Sequence, residues 1–243
     1  MIDSMFKLVS RADGEGTYDE GIIREAFVDF YVSSGKRKPE QIIIFRDGVS
    51  ENQFNQVLNV ELNQIKEACK FLDEQWFPKI TLIIAQKKHH TKFFLAGGSP
   101  DNVPPGTVVD NQVCHPGNYN FYMCSQAGMI GTSRPTHYHI LFDENELNPD
   151  ELQELVHSLS YMSKKHYRNL NRALAGATDR AISRYRVAPI YYAHLAASQA
   201  AKFIKSEESE TSSSQREIAA PGTVPVPELP RLHRNVRNSM FFC

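Results

Sequence analysis

Apolar and polar residues follow two periods along this chain, one typical of buried strands and one typical of amphipathic helices. The runs QIIIF at residues 41–45 and ITLIIAQ at residues 80–86 are short and rich in β-branched side chains, as expected for buried strands. Between them, residues 50–72 place apolar side chains at helical spacing. A strand, a helix and a second strand in this order predict a βαβ unit with parallel pairing, and therefore an α/β fold.

The segments on either side of this unit carry the same periods. After a polar stretch at residues 13–17, a helix is predicted from Asp19 or Glu20 through Ser33, because its apolar residues form one stripe. Beyond the unit, the pattern predicts three strands, a capped helix and a last helix, at residues 107–110, 120–125, 137–143, from Asn148 or Asp150 onward, and 188–205.

The composition changes near the end of the chain. Residues 206–238 are rich in Ser, Glu and Pro and lack aromatic side chains, which is typical of a disordered or loosely packed segment. The last five residues, 239–243, read SMFFC and are apolar enough to dock back on the core. The folded part is therefore expected to lie before residue 206.

The charge balance limits the kind of partner that this chain can bind. Its 27 Lys and Arg residues stand against 28 Asp and Glu residues, for a net charge of −1. A uniformly basic coat for nucleic acid is thereby excluded, so any such site must be a local basic patch. The longest apolar runs are too short for a membrane span, the start is too polar for a signal peptide, and no membrane partner is expected.

The cysteines point to a reducing compartment. Cys69, Cys114, Cys124 and Cys243 are far apart and show no CxxC spacing. Zinc binding by cysteine pairs is therefore disfavoured, and disulfides are not required. These features predict a location in the nucleus or the cytoplasm.

Asp47 is the first candidate for chemistry. It directly follows an apolar strand and precedes Gly48, so its carboxylate is expected at the carboxyl end of that strand. Ligand sites of α/β sheets lie at such edges, and carboxylate oxygen suits Mg²⁺ or Mn²⁺. On the local pattern alone, a turn or helix-capping role before a glycine is the preferred explanation of this residue.

A basic segment, QKKHHTK at residues 86–92, follows the second strand. It contains five basic or titratable side chains: Lys87, Lys88, His89, His90 and Lys92. Adjacent histidines on an extended chain point to opposite faces, which disfavours a joint metal site. Lysines and histidines suit phosphate oxygens, although a solvated basic loop has the same composition.

Two further segments contain histidines. In RPTHYHILFDE at residues 134–144, His137 and His139 alternate with Tyr138 and are expected to share one strand face. An HxH pair is able to ligate zinc, but no third ligand is evident, so a structural or RNA-contacting role is preferred. In YYAHL at residues 191–195, the local pattern indicates a core histidine at His194.

The sequence as a whole resembles a known family. Five segments occur in one order along the chain: IIIFRDGVSENQF, AQKKHHTKFF, VPPGTVVDNQVCHP, GTSRPTHYHILFDE and APIYYAHLAA. Together they resemble the C-terminal part of the PIWI domain of eukaryotic Argonaute proteins, over residues 21–205 and again at the terminus. The tail is most similar to plant Argonautes that act in small-RNA-directed DNA methylation.

The resemblance implies a fold and an incomplete catalytic set. It implies an RNase H-like PIWI fold, truncated at its N-terminal side, in which residues 1–205 form a mixed sheet with flanking helices. Cleaving members of the family use two upstream carboxylates, a third Asp and a His, and the last two match Asp47 and His194. These residues would share Mg²⁺ or Mn²⁺ ions. Since the first two carboxylates lie upstream of the matched region, the chain alone is expected to be catalytically silent and to bind metal weakly.

The resemblance also implies contacts to the backbone of a guide RNA. The matching positions are Lys87, Lys88, His90, Lys92, Arg134, Tyr161 and Tyr191. Two departures put some family contacts in doubt. Gln126 stands where the family has a His in a SHAG-like site, so it can donate a hydrogen bond but carries no charge. Residues 162–186 form an atypical, basic insertion.

Three functions remain open from the sequence. The leading interpretation is a fragment of an Argonaute that binds a small guide RNA and its complementary target RNA in RNA-mediated gene silencing. A second is a metal-dependent RNA endonuclease, if a longer chain supplies the missing carboxylates. A third is a protein-interaction module, since the PIWI domains of this family hold pockets for the Trp side chains of Gly/Trp-rich silencing proteins.

Overall fold

The computed structural model describes residues 5–10, 16–19, 21–97, 101–126, 131–161 and positions 195, 197 and 198. Its strands are β1 (Leu8–Ser10), β2 (Thr17–Asp19), β3 (Gln41–Asp47), β4 (Lys79–Gln86), β5 (Thr107–Val109), β6 (Asn120–Cys124) and β7 (Thr136–Asp143). Its helices are α1 (Ile22–Ser33), the short α2 (Phe54–Gln56), α3 (Leu62–Leu72) and α4 (Pro149–Ser160).

A five-stranded mixed sheet organises the described residues. Its strand order is β3-β4-β7-β6-β5, and β1 pairs with β2 in a separate two-stranded sheet. Strands β3 and β4 are parallel, with Asp47 opposite Ala85, whereas the other pairs of the large sheet are antiparallel. The predicted parallel βαβ unit is therefore confirmed, and so is the α/β class with a mixed sheet.

Strand β4 is the centre of the hydrophobic core. Its side chains alternate between the two faces of the sheet, as the strand period requires. Ile80, Leu82 and Ile84 pack with residues of α3 and of the helical segment before it. Ile83 and Ala85 belong to the opposite cluster, which is completed by Phe121, Met123, Tyr138, Leu152 and Val156. Helices thus flank both faces of the sheet, which explains why β4 reads as a continuous apolar run.

The helix predicted at residues 50–72 has the expected extent but an irregular start. Ser50 and Gln53 form a reciprocal capping box ahead of a 3₁₀ turn at Glu51–Gln53. After α2, residues Val57–Glu61 form a π-helical turn, and α3 then continues to Leu72. Both Val57 and Glu61 are buried. Insertions of this kind shift the following helix face, and the apolar spacing alone did not reveal it.

Two predicted boundaries are wrong. Asp19 does not open a helix. It ends β2, and its buried carboxylate accepts hydrogen bonds from the backbone N–H groups of Lys7 and Gly21, at 2.9 and 2.7 Å. The helix α1 begins only after Gly21, at Ile22. Asp47, expected just beyond its strand, is the last residue of β3, and it is followed by Gly48, whose φ of +72° suits glycine.

Several predicted segments lie outside the described residues. These are the insertion at residues 162–186, the Ser/Glu/Pro-rich segment at 206–238, the terminus at 239–243 and most of the helix predicted at 188–205. Within that predicted helix, Leu195, Ala197 and Ser198 are helical. Among the described residues, no helix combines the length and the apolar character needed to cross a membrane.

Candidate nucleic-acid interface

Strand β4 delivers a cluster of cationic side chains to one edge of the sheet. The chain leaves β4 at Gln86, and Lys87 follows with its side chain partly buried. Burial lowers the pKa of Lys87, and the positive charge of Arg134 lowers it further. The two segments meet directly, since His89 Nε2, two residues after Lys87, lies 3.0 Å from the carbonyl oxygen of Pro135, which follows Arg134. We use the name basic surface for five residues at this edge: Lys87, Lys88, His90, Lys92 and Arg134.

The basic surface is open to solvent except at Lys87, the residue nearest to β4. Lys88, His90, Lys92 and Arg134 are exposed, while Lys87 is partly buried. Desolvation and repulsion by a nearby cation both destabilise a charged lysine, and attraction to an anion offsets both effects. Contact of these residues with phosphate oxygens, which the sequence predicts, stays a prediction.

Three imidazoles lie beneath the basic surface. His137 and His139 share one face of β7, as predicted, with ring centroids 3.8 Å apart. His89 packs against them from the segment after β4, with its ring centroid 6.2 Å from that of His137. Tyr122 stacks on His137 at 3.9 Å, and Phe54 meets His139 edge to face at 5.1 Å. His89 therefore faces inward while its neighbour His90 is exposed, in agreement with the predicted alternation.

The hydrogen bonds of these imidazoles fix their tautomers. His89 Nε2 lies 3.0 Å from the carbonyl oxygen of Pro135, which can only accept. The side-chain NH₂ of Asn120 donates to the carbonyl of Asn118, so its Oδ1, 2.8 Å from His137 Nε2, must accept. The same argument applies to His139 and Gln86, since the Gln86 NH₂ donates to the carbonyl of Val49. Each ring thus donates through Nε2.

Burial keeps these rings neutral. It lowers the pKa of His137 to about 3, with smaller contributions from the charges that His139 and His89 would carry. Burial is also the main cause that lowers the pKa of His139 and of His89. Neutral imidazoles can stack without mutual repulsion. The contacts of the cluster are those of packed core side chains, which supports the structural interpretation of His137 and His139.

Asp47 is held at the end of β3 by its backbone. The Arg46 guanidinium binds Glu61 through Nε and Nη2 at 2.8 and 2.9 Å, and its Nη1 donates to the carbonyl of Asp47 at 2.6 Å. Glu61 is 3% exposed, and its hydrogen bond raises the pKa of Arg46. The carboxylate of Asp47 accepts the N–H of Gly48 at 2.6 Å. Hydrogen bonds therefore hold both the carbonyl and the carboxylate of Asp47 at the end of the strand.

A family model described as Piwi domain matches residues 5–205. The chain belongs to the Piwi domain family. It is 62% identical to protein argonaute 4B of Oryza sativa subsp. japonica and 60% identical to protein argonaute 4 of Arabidopsis thaliana, in both cases over 100% of this chain and 24% of the relative. The chain thus spans about a quarter of the length of these relatives, and the predicted resemblance to plant Argonautes is confirmed.

Solved structures agree with this Piwi assignment. The C-terminal lobe of a budding yeast Argonaute has a TM-score of 0.72 and 27% identity, over 91% of this chain and 43% of that one. A Kluyveromyces polysporus Argonaute with a guide RNA has a TM-score of 0.69 and 25% identity, over 94% of this chain and 26% of that one. The RNase H-like Piwi fold expected from the sequence is therefore shown.

The remaining predicted site residues of this Piwi chain have mixed positions. Gln126 donates its side-chain N–H to the carbonyl of Ser160 at 3.2 Å, so part of its donor capacity serves the fold. Tyr161 is half exposed, and its hydroxyl donates to the carbonyl of Ser125 at 2.5 Å. Tyr191 and His194 lie outside the described residues. The predicted approach of His194 to Asp47 therefore stays a prediction.

Divalent metal ions are a general requirement of cleavage in the Argonaute family, so the fit of the present residues matters. Within the described ranges, no three His, Cys, Asp or Glu side chains converge on a position suited to a metal ion. Asp47 places one carboxylate at the end of β3, but a two-metal site needs several more ligands. The described residues alone do not form such a site.

The described residues also form an apolar cleft that was not located from the sequence. A cleft of about 270 Å³ lies between α1 and the C-terminal end of α3. Its apolar lining consists of Phe27, Val28, Tyr31, Pro39, Leu72 and Trp76. An ion pair between Lys38 and Asp73 borders it. The lining comes from three separate segments, so no local pattern in the sequence could reveal it.

The neutral state of His137 predicts acid sensitivity. In the unfolded chain His137 takes up a proton near pH 6.5, whereas in the folded chain its pKa is about 3. The unfolded state binds more protons between these two pH values. The free energy of unfolding that depends on neutral His137 is therefore fully present above pH 6.5 and decreases as the pH falls toward 3. Between pH 6 and 4 the loss due to this residue is roughly 2 kcal/mol.

Urea unfolding at several pH values tests this expectation. His137→Gln keeps a hydrogen-bond donor but cannot titrate, so its free energy of unfolding should depend less steeply on pH than that of the parent. His90→Gln, at an exposed position, serves as the matched control and should keep the parental slope. Equal slopes for the parent and His137→Gln would show that this imidazole does not resist protonation.

Proposed function

We propose that this chain holds the backbone of a small guide RNA within an Argonaute that acts in RNA-mediated gene silencing. The observation that carries the proposal is the basic surface, where β4 ends and the segment after it meets the Arg134 loop through the 3.0 Å contact of His89 Nε2 with the Pro135 carbonyl oxygen. The similarity to an Argonaute with a guide RNA and the argonaute names of the relatives support it. The partners are the guide and its complementary target RNA.

The physical basis of this binding is electrostatic. Lysine and arginine contacts to phosphates position a nucleic acid without reading its sequence. Each neutralised phosphate releases counterions, so the affinity falls as salt rises. A chain with net charge −1 binds RNA only where its cations are concentrated, and the basic surface is such a concentration.

A catalytic role depends on residues beyond the described part of this chain. We propose that Asp47 and His194 are its members of the family's metal-binding set for Mg²⁺ or Mn²⁺, and that the chain alone does not cleave RNA. The alternative, a metal-dependent endonuclease, needs further carboxylates from a longer chain. We propose that the protein acts in the nucleus or cytoplasm, because the spacing of its cysteines does not require disulfides.

A second candidate function rests on the apolar cleft beside α3. Its lining combines flat aromatic and aliphatic surfaces, and Trp76 is fixed by a hydrogen bond from Nε1 to the carbonyl of Pro39 at 2.9 Å. Phe27 meets Trp76 edge to face at 5.0 Å. A rigid apolar cleft with a polar border suits the insertion of a single aromatic side chain. We propose that it receives a Trp of Gly/Trp-rich silencing proteins.

RNA binding by the basic surface should depend on salt. The chain should bind a labelled single-stranded RNA with a dissociation constant on the order of 10⁻⁴–10⁻⁶ M at physiological salt, because only phosphate contacts contribute. Lys87→Ala combined with Lys88→Ala should weaken binding. It should also reduce the slope of log affinity against log salt by about 1.4, which corresponds to two lost phosphate contacts. A fluorescence titration at several salt concentrations measures both quantities.

The matched control removes the same charge elsewhere. Lys70→Ala with Lys79→Ala changes two exposed lysines, one on α3 and one at the opposite end of β4 from the basic surface. This variant should retain nearly the parental slope. If both double variants behave like the parent, the segment after β4 is only a solvated loop.

The second prediction concerns cleavage. The purified chain, mixed with a guide, a matched target RNA and Mg²⁺ or Mn²⁺, should leave the target intact, because Asp47 and His194 cannot anchor two metal ions alone. Denaturing electrophoresis of the target detects any product. Metal-dependent cleavage that is lost in Asp47→Ala but kept in Asp29→Ala, an exposed carboxylate of α1, would contradict the expectation.

The third prediction concerns the cleft. A labelled peptide with one Trp between glycines should bind, and Val28→Glu should weaken it roughly tenfold or more by placing a charge in the lining. Val32→Glu is the matched control, since Val32 lies on the same helix, is 72% exposed and does not line the cleft. Fluorescence polarisation gives both affinities. Equal binding by the two variants, or by a peptide with Ala in place of Trp, would exclude this use of the cleft.

A further inference from the structure

An exposed aromatic ring follows the basic surface directly. Beyond Lys92 the chain places Phe93 inward, with its ring 5.6 Å from that of Tyr122 and edge to face. The next residue, Phe94, points the other way and is 65% exposed. Lys92 is exposed as well. The segment therefore presents a cation and an apolar ring to solvent, while Phe93 anchors it to the aromatic cluster below.

The backbone of Phe94 is tied to the loop that carries Arg134. Phe94 forms an antiparallel bridge with Asn102. The Asn102 side chain then clamps the other loop, since its Nδ2 donates to the carbonyl of Gly131 at 2.8 Å and its Oδ1 accepts from the N–H of Ser133 at 2.6 Å. Ser133 immediately precedes Arg134. The ring and the cationic cluster are thus parts of one braced surface.

Single exposed apolar residues are common, so exposure alone does not assign a role to Phe94. Phe77, for example, is even more exposed at 76%. What distinguishes Phe94 is its position two residues after Lys92, on a backbone held to the Arg134 loop. A cationic groove combined with an aromatic side chain is the usual means of holding single-stranded nucleic acid.

We propose that Phe94 is a stacking platform for a nucleobase of the single-stranded RNA whose phosphates contact the basic surface. The proposal rests on the proposed RNA-binding function and adds to it a contact that does not depend on charge. Every base offers a π face, so the contact favours no particular sequence. The bridge to Asn102 holds the backbone from which the ring projects.

Two RNA probes of equal length separate stacking from phosphate contacts. One is a labelled single-stranded RNA, and the other is the same ribose–phosphate chain without bases. Phe94→Ala should weaken binding of the normal RNA by roughly 5- to 100-fold at constant salt, while the salt slope stays parental. Phe94→Tyr should bind like the parent, and Phe94→Leu should resemble Phe94→Ala. On the abasic probe all of these proteins should bind equally.

Phe77→Ala is the control for loss of an exposed phenyl ring, and it should leave both affinities unchanged. Parental affinity of Phe94→Ala for the normal RNA would overturn the stacking role. Equal weakening on both probes would also overturn it, because the ring would then act through the fold. If Phe94→Ala weakens binding but the Lys87 and Lys88 double variant does not, the RNA-binding role of the basic surface is contradicted, whereas the stacking role of Phe94 is supported. Absence of binding by the parent at low salt would overturn both.

Discussion

The parallel pairing of β3 with β4 is the constraint on which the functional surface depends. Its register sets Asp47 opposite Ala85, so that Asp47 and the basic surface both emerge at the carboxyl edge of the sheet. A shift by one residue would exchange the faces of β4 and disrupt the packing of both apolar clusters. Since β4 is buried between helices on both sides, that shift is strongly disfavoured. Core packing thereby fixes the position of residues that do not belong to the core.

The histidine cluster extends this control from the strands to the loops. His89 donates to Pro135, which directly follows Arg134, and it packs on Tyr122 of β6. Docking of this one ring therefore brings the segment after β4 against the segment before β7. Lys87 and Arg134 would otherwise repel each other across two independent loops. The neutrality of the buried imidazoles matters here, because a charge on them would add to that repulsion.

The sequence predicted the features whose signal is local. Apolar runs identified β3 and β4, helical spacing located α3, and alternation placed His137 and His139 on one face. The π-helical turn at Val57–Glu61 escaped prediction because the apolar spacing tolerates one extra residue in a turn. Strand β2 was missed because it has three residues and is defined by pairing with β1. The cleft and the third imidazole are likewise products of distant segments, and only the packed chain reveals them.

The Arg46–Glu61 ion pair positions the end of β3 although it contributes little net stability. A buried ion pair contributes little net stability, since desolvation offsets the attraction, but loss of one partner is strongly destabilising. Here the third N–H group of Arg46 holds the carbonyl of Asp47, while Gly48 binds its carboxylate on the other side. The π-helical turn buries Glu61 at the position that completes this arrangement. These hydrogen bonds orient the end of the strand without any ligand, as preorganisation requires.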